Sequence, residues 1–390
     1  MIRIGFVINS RDHRWMGGIN YYKNLLNAIS SLPDRKIEPV LFTGYHTPST
    51  ILEDLDNIKI IKNHIFDIYH PFSNIRYLIR ILFKWDFLLE YFLKKNNIAL
   101  LSHYYPLRNK SDIPTIGWIP DFQHKYLPQL FSKKEYLNRD SYFKIICKNS
   151  IRVIFSSNTA KTDAIKFFPE YTSKYRVLHF VTCNMNLYNL PNFEEIKEKY
   201  NLDGPYFLIP NQFWEHKNHR IVIEALRILK NKGYSINIIT TGDTKDYRNP
   251  QYYHDLQQKL IDYNILQNFR ILGFIPYSHL IQLMIHSIAI INPSYFEGWS
   301  TTVEEAKILD LKILLSDISV HREQNPEKAE YFSPDDPQKL ADLLLISRTE
   351  YQQVGHEDYM CDTIIDKLEK QKKEFAQNYE KIVLDALAAE

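Results

Sequence analysis

Short unbroken apolar runs recur along this 390-residue chain, each followed by a stretch in which apolar residues return every three or four positions. Residues 2–8 form such a run, 19–29 such a stretch, and 39–42 the next run. A strand covered on both faces shows no polar alternation, and a helix laid on a sheet shows a period near 3.6 residues. The succession therefore predicts an α/β protein of parallel sheets covered by helices. Further strands are expected near 99–102, 115–118 and 152–155, with helices near 133–148 and 158–168. The alternation restarts with strands near 206–210, 235–240, 269–272, 288–292 and 312–315.

A chain of 390 residues exceeds the size at which one core usually stops growing, so two domains are expected. Between the two series, residues 182–193 hold Asn184, Asn186, Asn189, Pro191 and Asn192 with little periodicity, which reads as a linker. The expected division is 1–183, 184–368, and a closing helix over 369–390 that ends apolar at Ile382, Val383 and Leu384. Residues 74–95 are apolar and aromatic but carry Arg76, Arg80, Lys84, Lys94 and Lys95, too many charges to span a bilayer. Two readings fit them equally: a helix lying in a membrane interface and a helix packed on the sheet.

The net charge of +2 conceals an asymmetry: residues 1–185 hold 26 basic against 15 acidic side chains, and the remainder 22 against 31. A basic first half favours an anionic partner, such as a membrane surface or a lipid phosphate. No recognised nucleic-acid motif accompanies it, so no nucleic acid is expected as partner. Cys147, Cys183 and Cys361 lack any paired spacing, which excludes a disulfide framework and a thiolate zinc site. The chain opens on a strand-like run rather than a secretion signal, and a cytoplasmic location, at the inner face of the membrane, is expected.

The richest chemistry lies in 290–306, where a buried strand leads through a glycine-containing loop into a helix. Ligands of open α/β sheets sit beyond the carboxyl ends of strands, so Glu297 on the loop and Glu305 on the helix stand where sugar or ribose hydroxyls can donate to them. Backbone N–H groups near Thr301 and Thr302 can face a phosphate. Read alone, most pairs of this kind are a surface loop and an ordinary acidic helix start.

This run resembles the Glu-x7-Glu motif of retaining GT-B glycosyltransferases, in particular glycosyltransferase family 4 (glycosyl transferases group 1). The resemblance implies two Rossmann-like domains facing each other across a cleft, with a C-terminal helix returning to the first. It implies that Glu297 meets the transferred sugar and Glu305 the ribose, with Gly298, Trp299, Ser300, Thr301 and Thr302 completing the donor loop. Ser300, Thr301 and Thr302 stand where the family commonly has Gly-Leu-Pro. Trp15-Met16-Gly17-Gly18 is similar to the family's glycine-rich turn, and residues 208–218 to its diphosphate loop, with Asn211, Gln212 and the cation Lys217. Gln212 stands where the family usually has Arg, which leaves that grip one charge short. Residues 117–125 resemble the loop that carries a histidine near the acceptor, here His124, for which a structural histidine bonded to Asp121 is the alternative. Residues 273–276, with Phe274 and Ile275, resemble the segment near the nucleotide base; 156–161 and 316–323 also match and receive no chemistry.

Asp12, Asp121 and Asp243 have no companion ligands, and the single D-x-D, Asp54-Leu55-Asp56, lies in a charged segment away from any predicted strand end. With that, the resemblance implies a retaining, metal-independent hexosyltransferase that needs no cofactor, with His124, Lys217 and Glu297 as catalytic residues. Its partners would be a nucleotide-sugar donor, a glycan or lipid-linked acceptor, and an anionic membrane. A non-catalytic partner subunit of the same fold and a sugar-nucleotide epimerase are the rival readings.

Overall fold

The computed structural model describes residues 1–8, 16–108, 111–182, 185–354 and 361–389; Asp12, Trp15 and Cys183, and with them the expected division at 183/184, lie outside these. The chain forms two compact units, one of Met1–Pro128, Ser132–Asn184 and Glu369–Glu390, the other of Gln129–Phe131 and Met185–Leu368.

The first unit is built on a parallel sheet of seven strands: β1 (Ile2–Ile8), β2 (Ile37–Thr43), β3 (Lys59–Lys62), β4 (Leu100–Ser102), β5 (Thr115–Ile119), β6 (Arg152–Phe155) and β7 (Tyr175–Val177), in the order β3-β2-β1-β4-β5-β6-β7. The second has six parallel strands: β8 (Phe207–Ile209), β9 (Ile238–Thr240), β10 (Phe269–Ile271), β11 (Ile290–Asn292), β12 (Ile313–Ser316) and β13 (Ala329–Phe332), in the order β10-β9-β8-β11-β12-β13. Strand order reverses between β1 and β4 in one sheet and between β8 and β11 in the other. At such a switch point the connections leave in opposite directions and open a crevice.

Each strand of the second sheet feeds two apolar layers. Phe207, Ile209, Ile238, Ile291 and Leu314 pack into one layer with helix His219–Asn231. Leu208, Ile239, Ile290, Ile313 and Leu315 pack into the other with helix Tyr277–Ile285. Alternate side chains point to opposite faces, so a strand apolar at every position is what a doubly covered sheet needs. The strands not anticipated from sequence, β3, β7 and β13, are all edge strands, short and half-exposed, with too few apolar positions to show a period.

The apolar stretch at 74–95 is two helices rather than one, Pro71–Phe83 and Phe87–Lys95. Lys84 breaks them with a left-handed φ of 50°, and Asp86 caps the second by accepting from the Leu89 N–H. The Arg76 guanidinium meets Asp86 at 2.9, 3.0 and 2.7 Å. The second helix buries Leu89 and Leu93 against the sheet, whereas the first buries Arg76 and turns Phe72, Ile75, Leu78, Ile81, Leu82 and Phe83 to the surface. Among the described residues no helix is long and apolar enough to cross a membrane.

The closing helix, Cys361–Ala388, begins against the second unit with Ile364 and Leu368 and continues into the first with Phe375, Tyr379 and Val383. Asp385 there accepts from Arg152 and Arg176 at 2.8 Å each, which holds its carboxyl down at about 2. The buried Tyr379 hydroxyl donates to Ser102 Oγ at 2.7 Å, at the end of β4. Removing that hydroxyl leaves a buried serine short of one partner, at a cost of about 1–2 kcal/mol. Thermal unfolding of Tyr379→Phe is expected at a lower temperature than wild type, while Tyr91→Phe, at an exposed tyrosine, leaves it unchanged.

Candidate functional site

At the switch point of the second sheet, the loops after β8 and β11 meet. The loop from Pro210 to Asn218 is fastened on several sides through its backbone. Phe213 N–H donates to Asp243 O at 2.8 Å and Glu215 N–H to Asp246 at 3.0 Å, while His216 O accepts from Tyr295 N–H at 2.8 Å. Asn218 closes the loop at a φ of 56°, and its amide donates to Pro293 O and Pro334 O at 3.2 and 2.9 Å. Asparagine tolerates this left-handed backbone better than most residues. Under the loop lies Gly242, φ +107°, where a Cβ would stand 2.8 Å from the backbone of Gln212.

These constraints bring Lys217 Nζ to 2.6 Å from Glu297 Oε1, with side chains 20% and 8% exposed. Burial pushes the Glu297 carboxyl up, but the charge of Lys217 beside it outweighs that, and the group sits below its ordinary range. Ser294 Oγ lies 2.7 Å from the same carboxylate oxygen and 2.8 Å from Asn292 Oδ1; its single proton goes to the stronger, charged acceptor. Asn292 then accepts from Asn211 at 3.3 Å and donates to Ser300 Oγ at 2.8 Å. Burial, with Lys217 adding to it, drives His216 down to about 3, so it is neutral at pH 7.

Ser300 caps helix Thr301–Ile308, so Thr301 and Thr302 fall in its first turn, where backbone N–H groups have no partner within the helix. The adjacent carboxylates on that helix have different employments. Glu304 is consumed structurally, accepting from Lys307 at 3.2 Å and from Gln324 at 2.8 Å. Glu305 has the Tyr277 hydroxyl at 2.8 Å, and burial raises its carboxyl to about 7 despite that hydrogen bond. At neutral pH Glu305 is therefore poised between its acid and its anion. Ile275 is half-buried on the core while Phe274, beside it, is 68% exposed. Gln212 makes no charge contribution, but Arg248, from the loop after β9, stacks 5.2 Å over Trp214 and bears on His216.

The second unit thus gathers Asn211, Gln212, Lys217, Glu297, Gly298, Trp299 and Ser300 on the loops, and Thr301, Thr302 and Glu305 on the helix that follows, around one switch point. Sequence reading passed over Gly242, Tyr277, Asn292, Ser294 and Gln324. Only Gly242, a glycine two positions after a predicted strand, carried a local signal.

In the first unit, Gly17 and Gly18 are the first turn of helix Met16–Ser31 instead of a loop ahead of it. The donors they offer are therefore those of a helix end. His124 is 0% exposed, ringed by Phe122, Tyr136 and Phe143, and its Nε2 lies 3.3 Å from Asp140, not Asp121. Asp121 is occupied elsewhere, accepting from Gln123 N–H at 2.8 Å and pairing with Arg139. Burial lowers the His124 pKa, so the ring is neutral at pH 7. At the switch point itself stands a residue unmarked by sequence, His103, φ 56°, bonded to the Tyr21 hydroxyl and to Ser102 Oγ at 2.7 Å each.

Residues 192–347 match the family of glycosyl transferases group 1. The chain is 26% identical over 323 residues to the O-antigen chain mannosyltransferase RfbU of Salmonella typhimurium, covering 81% of this chain and 82% of that one. Its fold is similar to that of Anabaena Alr3699/HepE solved with UDP and glucose: TM-score 0.67, 14% identity, 98% and 97% of the two chains covered. It is also similar to a glycosyltransferase of Rickettsia africae, TM-score 0.65, 16% identity, covering 99% and 97%. The architecture is the GT-B pairing of Rossmann-like domains.

If Lys217 is what keeps Glu297 ionised, removing the lysine alone should hurt more than removing the whole pair. Lys217→Met is expected to lower unfolding stability by up to about 3 kcal/mol, the toll of a buried unpaired carboxylate. Lys217→Met with Glu297→Gln should recover a measurable part of that loss in urea denaturation.

Proposed function

We propose that this GT-B glycosyltransferase is a retaining, metal-independent hexosyltransferase that moves a hexose from a nucleoside diphosphate sugar to a hydroxyl acceptor. The acceptor we assign is a growing cell-surface polysaccharide or lipid-linked glycan. The observation that carries this reading is the Lys217–Glu297 pair at the switch point of the second sheet, with Glu305 on the helix that follows. Similarity to an O-antigen chain mannosyltransferase supports the acceptor class, and a similar fold solved with UDP supports the donor class.

In this reading the donor diphosphate competes with Glu297 for Lys217. The leaving nucleoside diphosphate gains negative charge in the transition state, and a cation fixed in a partly dry site stabilises it there. Lys217 supplies that charge, aided by the first-turn N–H groups of helix Thr301–Ile308, so a metal ion is not required. Glu297, drawn off Lys217, accepts from hydroxyls of the transferred sugar, and Glu305 accepts from the ribose diol. Neither carboxylate acts as nucleophile: the acceptor attacks from the face the diphosphate leaves, and the diphosphate assists its deprotonation. His124, neutral and enclosed, serves by ordering the loop after β5; contact with an acceptor would require that loop to open.

The test is donor binding and transfer by the purified protein. Glu297→Gln is expected to bind nucleoside diphosphate and to lose most transfer activity; full activity in this variant would overturn the assignment. A ribose diol donates best to an ionised carboxylate, and Glu305 sheds its proton near pH 7. Affinity should therefore rise several-fold between about pH 6 and 8. Glu305→Gln should flatten that rise.

The location we assign is the inner face of a membrane, reached through helix Pro71–Phe83. Leu82 and Phe83 are 66% and 67% exposed, and Arg80 and Lys84 flank them, a combination that suits an anionic lipid surface. Wild-type protein should sediment with vesicles containing phosphatidylglycerol and not with phosphatidylcholine alone. Leu82→Glu with Phe83→Glu should stay in the supernatant.

A further inference from the structure

A cluster of imidazoles and a carboxylate in the first unit takes no part in the chemistry above. His46 follows β2, and His64 and Asp67 follow β3; parallel pairing of these strands, ending at Thr43↔Lys62, brings the two loops together. Nothing in the linear spacing announces the group, which is why no ligand set was expected from sequence. Asp67 is built in: its side chain is 3% exposed and accepts from the backbone N–H groups of Tyr45 and His46 at 3.2 and 2.9 Å. Gly44 is obligatory above it, since a Cβ there would stand 2.1 Å from Asp67 Oδ1. His64 Nδ1 lies 2.9 Å from one carboxylate oxygen and His46 Nδ1 3.3 Å from the other. One ligand atom from each of the three residues lies within 4.8 Å of the other two, and the His46 side chain is 75% exposed, so the group opens to solvent.

We propose that His46, His64 and Asp67 bind a divalent transition-metal ion of the zinc class. Ligands about 2.0–2.2 Å from a tetrahedral ion stand roughly 3.3–3.6 Å from one another, so the 2.9 and 3.3 Å separations to Asp67 need little change and the two imidazoles close in from within 4.8 Å. Two imidazoles and a carboxylate suit zinc-class ions, whereas calcium and magnesium take oxygen shells. The ion would act as a staple rather than a reagent. The His64 ring stacks on His70 at 4.1 Å and 9°, and His70 Nδ1 accepts from Phe72 N–H to cap helix Pro71–Phe83. Fixing His64 therefore fixes the start of the exposed apolar helix.

The experiment is calorimetric titration of tag-free, chelator-treated full chain with zinc chloride alone, beside cobalt absorption spectra and thermal unfolding. Saturable binding of one ion per chain is expected. His46→Ala and, separately, His64→Gln should weaken it by at least about tenfold, while His254→Ala, at an exposed histidine of the second unit, leaves it unchanged. Zinc should raise the unfolding temperature of wild type and not of His46→Ala, because an ion that binds only the folded state stabilises it by mass action. His46 holds no backbone group through its ring, so this variant keeps the fold, which circular dichroism checks. Zinc affinity indifferent to both substitutions, or no saturable binding, would overturn the proposal and leave Asp67 as a hydrogen-bonded clamp between two loops.

Discussion

An ionised carboxylate buried beside a single ammonium group is the constraint around which the second unit is arranged. Glu297 stays charged at 8% exposure because Lys217 stands 2.6 Å away, and a buried charge without such a partner costs several kcal/mol. The pair in turn demands that two loops from different strands keep register to within a fraction of an ångström. That is the work of Asn218, of the backbone bond from Tyr295 to His216, and of Gly242, which lets the loops settle onto each other. The polar chain running from Asn211 through Asn292 and Ser300 to Gln324 is the floor beneath them. Every member of that chain is bonded, as buried polar groups must be if the floor is to add rigidity rather than cost.

Much of this was legible in the sequence because parallel sheets write themselves as apolar runs. The inner strands of both sheets were anticipated; β3, β7 and β13 were not, since an edge strand such as Lys59–Lys62 buries too little to leave a pattern. Glu297, Lys217 and Glu305 were singled out by resemblance to a motif, since the spacing of Glu297 and Glu305 alone describes a surface loop and a helix start. What sequence does not carry is the division of labour between neighbours. Glu304 and Glu305 are adjacent and chemically alike, yet one is tied to Lys307 and Gln324 and the other accepts from a phenol. For His124 it is the partner that sequence misplaces: Asp140, sixteen positions away on the next long helix, rather than the nearer Asp121.

The first unit shows a different limit. Periodicity reveals that a helix has an apolar face and says nothing about what covers it. Residues 71–95 present one composition, yet the fold separates them at Lys84 into a helix that packs on the sheet and a helix that turns its apolar side outward. The separation is enforced electrostatically, by Asp86 serving at once as cap for one helix and as ion-pair partner for Arg76 of the other. Arg76, not a leucine, is the side chain by which helix Pro71–Phe83 is moored.

The closing helix has a consequence for how the chain comes into being. Phe375, Tyr379, Val383 and Ala386 complete the interior of the first unit, but on the ribosome they emerge after the whole of the second. The first sheet must therefore wait through the synthesis of nearly two hundred further residues with its apolar seat for that helix open. Sub-units that remain incomplete while a chain lengthens are the ones exposed to aggregation and to chaperones. In this protein the order of translation and the order of folding part company: the half made first is the half finished last.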